Sequence, residues 1–188
     1  MKALVDASRS QNFDIPAVIC NNPSAKGIKN AKDLGINPIV LDHKKFHSRK
    51  DFDSELASIL KKLNPHLIAL AGFMRILTKE FIKQFPEKII NIHPSLLPAF
   101  PGLNTHRAAL NRGVKLHGCT VHFVTEQLDD GPIILQSSVP VLSNATEASL
   151  AARVLREEHR IYPLAVRWCL NGAIKIVDGR VILKQETE

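Results

Sequence analysis

Aromatic residues are scarce in this chain, at 5% of 188 residues, and the basic side chains behind its formal net charge of +7 are dispersed. A nucleic-acid surface wants a localised basic stripe interleaved with stacking platforms, so nucleic acid is not an expected partner. The positive balance instead favours small phosphorylated or carboxylated ligands through long-range steering. Cysteine is equally sparse. Cys20, Cys119 and Cys169 are odd in number, lie in apolar surroundings and lack Cys-x-x-Cys spacing, which suits reduced core residues in a cytoplasmic protein. Long hydrophobic runs are absent: the longest, Leu67 to Gly72 followed by Phe73 and Met74, falls far short of a membrane span. The opening MKALVDASRSQNFD has no apolar stretch of signal-peptide length. Neither Gly-x-Gly-x-x-Gly nor Gly-x-x-x-x-Gly-Lys-Ser/Thr occurs, leaving dinucleotide and ATP-loop readings without support.

What is present is a 45% hydrophobic chain able to bury one substantial core, with no repeat or low-complexity segment. A single domain over residues 1–188 is the expectation. Ala3 to Ser8 reads as helix, Ile15 to Cys20 as a strand, Pro23 to Leu34 as a helix closed by Gly35, and Ile36 to Leu41 as a strand. Apolar residues at Phe52, Leu56, Ile59, Leu60 and Leu63 mark a helical face. His66 to Ala71 is almost uninterruptedly apolar, as in a parallel strand buried on both faces. Thr78 caps a helix carrying Phe81, Ile82 and Phe85, and Lys88 to Ile92 is a further strand. Gly118 to Val124 and Pro132 to Leu142 alternate more, suggesting an antiparallel portion. A long helix over Glu147 to Leu170 precedes two strands around Asp178-Gly179, a strong hairpin signal. The reading is α/β, a mixed, mainly parallel central sheet flanked by helices.

Open α/β sheets bind ligands beyond the carboxyl ends of their strands. Asn91-Ile92-His93 stands at one such end, and alternation across Ile92 lets the carboxamide and the imidazole point the same way. Together they can donate hydrogen bonds to an oxyanion developing on an attacked carbonyl, and the imidazole can move a proton near neutral pH. The residues alone leave open that Asn91 caps a turn and His93 is a satisfied core histidine. A carboxylate would complete the set. Asp129 and Asp130, in an irregular loop before Gly131, are both candidates on this evidence. His106, His117, His122 and Cys119 are close in sequence but do not converge along a strand into a tetrahedral ligand set, so no metal is expected.

Asn91-Ile92-His93-Pro94-Ser95-Leu96-Leu97-Pro98 resembles the folate-dependent formyltransferases. Ala71-Gly72-Phe73-Met74-Arg75-Ile76-Leu77, Phe100-Pro101-Gly102, His117 to Val124 and Leu128 to Gln136 narrow the resemblance to the phosphoribosylglycinamide formyltransferase branch, over nearly the whole chain. The resemblance implies a Rossmann-like formyltransferase fold and transfer of a formyl group from 10-formyltetrahydrofolate to the amine of glycinamide ribonucleotide in purine biosynthesis. It implies Asn91, His93 and Asp129 as catalytic residues, which prefers Asp129 over Asp130. It places the reduced folate against Arg75, Ile76, Leu77, Asn91, Thr125 and Asp129. The ribonucleotide is placed against Arg49, Gly72, Met74, Ile92, Pro94 and Glu158, with Glu158 on the sugar hydroxyls and Arg49 near the phosphate. A monomer or homodimer is expected, without membrane or nucleic-acid partners.

Two departures accompany this resemblance. Asp130 stands where the family usually has a small residue, and a second inward carboxylate would raise the proton affinity of the first. Met1 to Ala7 resembles the interior of the family's first helix, so the domain is expected to be N-terminally incomplete, without the preceding strand and phosphate-binding loop. A formyltetrahydrofolate hydrolase, a methionyl-tRNA formyltransferase and a non-catalytic folate or nucleotide sensor are the rival readings.

Overall fold

Leu4, Val5 and Ala7 lie on the buried face of α1 (Lys2–Gln11), the first element of the computed structural model, which describes residues 1–11 and 13–184. The chain forms two units by internal contact: Met1–His66 with Arg75–Phe85, and Leu67–Met74 with Pro86–Glu188.

In the first unit, strands β1 (Val18–Cys20) and β2 (Pro38–Val40) pair in parallel, with α2 (Lys26–Asp33) between them in sequence. Gly35 closes α2 at φ +83, the left-handed conformation that the sequence assigns to it, and Ile36 N–H returns to the Ala31 carbonyl at 2.9 Å. Helix α3 (Arg49–Leu63) begins at Ser48, whose Oγ accepts from Asp51 N–H, and ends on Asn64 in the left-handed region. Phe52, Leu56 and Leu60, four residues apart, form its buried face. Short α4 (Lys79–Ile82) is capped by Thr78, as expected.

The second unit is built on a four-stranded sheet of order β3 (Ile68–Leu70), β4 (Ile89–His93), β5 (Leu116–Phe123) and β6 (Ile133–Pro140). The β3–β4 pairing is parallel; β4–β5 and β5–β6 are antiparallel. The sheet is mixed, as expected, with a larger antiparallel share than the sequence reading has it. The short connection between β5 and β6 permits only antiparallel pairing. Strand β3 also differs: it is three residues long, Ala69 is exposed, and β4 is its only strand partner among the described residues. An edge strand leaves one row of its N–H and C=O groups without a strand partner.

Helix α6 (Glu147–Leu170) packs against β5 and β6 through Leu150, Val154, Ile161 and Ala165, all essentially inaccessible. Burial of Leu150, Val154 and Ile161 contributes about 1.5–3 kcal/mol each relative to exposure, and that of Ala165 less. Thr146 and Ser149 form a reciprocal capping box at its start. The Tyr162 hydroxyl reaches the Leu70 carbonyl at 2.7 Å and the Ile90 carbonyl at 3.3 Å, tying α6 to both β3 and β4. Strands β7 (Ile174–Val177) and β8 (Arg180–Leu183) form the hairpin expected around Asp178-Gly179, both turn residues having positive φ. Helix α5 (Thr105–Arg112) is absent from the sequence reading because its cap, Asn104, is left-handed and makes no side-chain capping bond.

Candidate active site

Strand β4 delivers Asn91 and His93 on alternate positions, and the antiparallel register sets Asn91 opposite His122 and His93 opposite Thr120. His93 is 5% exposed. Its Nε2–H donates to the Phe100 carbonyl at 3.0 Å, and its Nδ1 lies 3.4 Å from Asp129 Oδ2. A carbonyl accepts at one nitrogen and a carboxylate stands beside the other, so Asp129 is placed to offset a positive charge on the ring.

Asp129 belongs to the turn between β5 and β6 and adopts φ +53, a left-handed conformation that aspartate tolerates better than most residues. Its Oδ2 accepts the Gly102 N–H at 2.8 Å. Gly131 makes this turn possible: a Cβ there would stand 1.7 Å from the Phe123 carbonyl oxygen, so only glycine lets the chain fold back so closely over β5. Asp130 is exposed, whereas the Asp129 side chain is almost fully buried.

His122 completes the cluster. Its Nδ1–H donates to the Phe123 carbonyl at 2.9 Å, and burial pushes its pKa down, so the ring is neutral with a lone pair on Nε2. Nε2 accepts from Asn91 Nδ2 at 3.4 Å, a long hydrogen bond that turns the amide nitrogen toward the ring. Asp129 Oδ1 stands 3.9 Å from the same nitrogen; with the imidazole neutral this is a contact, not an ion pair.

The segment after β4 braces the group. Ser95 Oγ donates to the Ala99 carbonyl at 2.6 Å, and Thr105 Oγ1 donates to the Pro94 carbonyl at 2.7 Å. The Leu97–Pro98 peptide is cis, and Phe100, Gly102 and Asn104 have positive φ. The Phe100 ring lies edge-on to His117, whose Nε2 is 3.2 Å from His106 Nδ1. Burial lowers the His117 pKa to about 4 and also depresses that of His106. Among the described residues, no group of three or more His, Cys, Asp or Glu side chains is arranged to hold a metal ion.

The structure thus brings Asn91, His93 and Asp129 together in the second unit. Ile92 and Pro94 flank His93 and are half-buried. Gly72 is exposed at φ +68, and Met74 is 75% exposed. Thr125 Oγ1 donates to the Gln127 carbonyl within the Asp129 turn. Glu158 is half-buried on α6, and desolvation raises its carboxyl pKa. The first unit holds the others: Arg49 is exposed at the start of α3, Arg75 lies over the Phe52 ring, Ile76 is half-exposed and Leu77 is buried. Sequence reasoning weighed His122 only as a metal ligand and missed the Phe100 carbonyl and the Gly102 amide. The first depends on strand register and the other two are backbone groups, which residue type does not advertise.

A sequence profile of the formyl transferase family matches residues 1–166. The chain belongs to this family. Among formyl transferase relatives, it is 42% identical over 178 residues to the phosphoribosylglycinamide formyltransferase of Escherichia coli K12, covering 94% of this chain and 84% of that protein. It is also similar to one part of the trifunctional purine biosynthetic protein adenosine-3 of Gallus gallus, at 42% identity over 98% of this chain and 19% of that protein. Among solved structures, glycinamide ribonucleotide transformylase 1 of Symbiobacterium toebii superposes with a TM-score of 0.95 at 44% identity, covering 98% of this chain and 88% of that one. Phosphoribosylglycinamide formyltransferase of Anaplasma phagocytophilum gives 0.90 at 42%, covering 100% and 89%.

Proposed function

We propose that this chain is an enzyme transferring the formyl group of 10-formyltetrahydrofolate to the amine of glycinamide ribonucleotide in purine biosynthesis. Identity above 40% over most of the length of single-function relatives carrying that name supports the reading. The observation that carries it chemically is the buried His93–Asp129 contact at 3.4 Å beside Asn91.

The ribonucleotide amine adds to the formyl carbon, making a carbon–nitrogen bond while the carbonyl electron pair moves onto oxygen. Asn91 Nδ2 donates to that oxyanion, and protonated His93 stabilises it by its positive charge. Asp129 balances the imidazolium and carries a proton from the attacking nitrogen toward the folate nitrogen, which leaves as the oxyanion collapses. Holding both reactants removes the entropic cost of their encounter. Arg75, Ile76, Leu77 and Thr125 bind the reduced folate. Arg49, Gly72, Met74, Ile92, Pro94 and Glu158 bind the ribonucleotide. The protein works in the cytoplasm as a monomer or homodimer; among the described residues, no helix is long and apolar enough to cross a membrane.

The test incubates the chain with 10-formyltetrahydrofolate, with and without glycinamide ribonucleotide, and follows both products. Formyl transfer that requires the ribonucleotide is the expected result. Folate turnover without it would make the chain a hydrolase, and binding without turnover would make it a sensor.

A further inference from the structure

The stretch Arg75-Ile76-Leu77 belongs to no helix or strand, yet it is fixed at both ends by two consecutive residues of one helix. On its first residue, the Arg75 guanidinium lies over the Phe52 ring, 4.8 Å from the centroid. Immediately after its last, Thr78 N–H donates to Asp53 Oδ2 at 2.7 Å. Phe52 and Asp53 are both on α3 and are 1% and 3% exposed. A carboxylate is seldom buried so fully, and no salt bridge to it occurs among the described residues. Leu77 is buried between these anchors, while Ile76 faces outward at 48% exposure.

The bracing leaves hydrogen-bonding capacity unspent. Neither Ile76 nor Leu77 makes a backbone hydrogen bond among the described residues, and the buried Nε–H of Arg75 has no partner. Two adjacent peptide units with uncommitted N–H and C=O groups offer donors and acceptors of the kind that pair with the edge of a planar heterocycle bearing amide and amidine groups. Rigidity matters because each group ordered in advance is one that binding need not order.

We propose that Asp53, with Phe52 beside it, is a positioning residue for the folate: it sets the 75–77 backbone edge that reads the heterocycle and touches no substrate itself. This rests on the assignment of Arg75, Ile76 and Leu77 to the folate. Losing a charge-assisted hydrogen bond loosens one end of the edge, so folate recognition suffers while the ribonucleotide and the chemical step do not.

The experiment measures kcat and both KM values for Asp53→Ala, Asp53→Asn and Arg75→Ala, with thermal unfolding as a check on folding. Asp53→Ala raises the folate KM by roughly tenfold, with the ribonucleotide KM and kcat within about twofold. Asp53→Asn, whose Oδ1 can still accept from Thr78 but without the charge, gives an intermediate rise of roughly threefold. A folate KM unchanged in Asp53→Ala, or one that rises together with the ribonucleotide KM, overturns the proposal. If the alanine variant does not fold, Asp53→Asn decides: an intermediate rise in the folate KM alone supports it, and wild-type values overturn it. Arg75→Ala separates the two levels. If Arg75→Ala leaves the folate KM unchanged, the folate assignment of this segment fails. If it raises the folate KM but the Asp53 variants do not, only the positioning role fails.

Discussion

Asn91 Nδ2 and His122 Nε2 face each other at 3.4 Å across the β4–β5 pairing, with the imidazole proton committed to the Phe123 carbonyl on its far side. The neutral ring therefore fixes which end of the carboxamide meets the site. His122→Phe removes this acceptor at similar volume. Its kcat is expected to fall by roughly two- to threefold, the weak end for a hydrogen bond because the contact is long. A steady-state rate equal to wild type would show that Asn91 holds its orientation unaided.

His93→Ala and Asp129→Asn should each lower kcat by roughly a hundredfold or more, the usual loss for groups acting by proton transfer or charge stabilisation. Both proteins should still unfold cooperatively on heating. A folded His93→Ala enzyme running at the wild-type rate would remove His93 from the mechanism.

Asp130→Gly should leave kcat within about threefold, since the side chain is exposed and makes no ion pair among the described residues. A collapse comparable to that of Asp129→Asn, measured side by side, would reverse the two assignments.

Gly131→Ala should be among the most damaging single changes in the turn. The added methyl would stand 1.7 Å from the Phe123 carbonyl oxygen, so the backbone must move. Overpacking of this kind costs about 1–3 kcal/mol, occasionally more. Because the same turn carries Asp129, the variant should lose both melting temperature and kcat; retention of either would show that the turn relaxes without displacing the carboxylate.

Stability should depend on pH through the buried histidines. The His117 pKa is about 4 in the folded protein against 6.5 ordinarily, so as pH falls below 6.5 the unfolded chain takes up a proton that the native state refuses. Its contribution is intact above 6.5, is lost progressively down to about 4, and changes no further below that. The depressed pKa values of His106 and His122 act in the same direction. Melting temperatures across this window should fall less steeply for His117→Asn than for wild type; parallel curves would contradict the assignment.

Much of the scaffold is legible in the sequence where local chemistry decides. Gly35, Thr78 and Asp178-Gly179 mark ends and turns by conformational preference, and the structure has them there. The alternation of Asn91 and His93 across Ile92 is likewise a local property of an extended strand. Pairing partners are not local. Whether His122 meets Asn91 depends on the β4–β5 register, and the edge position of β3 depends on the strand order. Helix α5 is not legible for another reason: Asn104 starts it from a left-handed conformation and makes no side-chain capping bond.

The Tyr162 hydroxyl joins α6 to the carbonyls of Leu70 and Ile90, and Ile90 immediately precedes Asn91. Burial raises the pKa of this phenol well above its ordinary value of 10, so it is a donor at neutral pH. Helix α6 and strand β4 should therefore open together as one cooperative unit. In native-state hydrogen exchange, the amides of β4 would report the same opening free energy as those of the α6 interior. Tyr162→Phe would let the β4 amides exchange ahead of the helix, exposing the strand that carries Asn91 and His93 to local opening that the intact molecule resists.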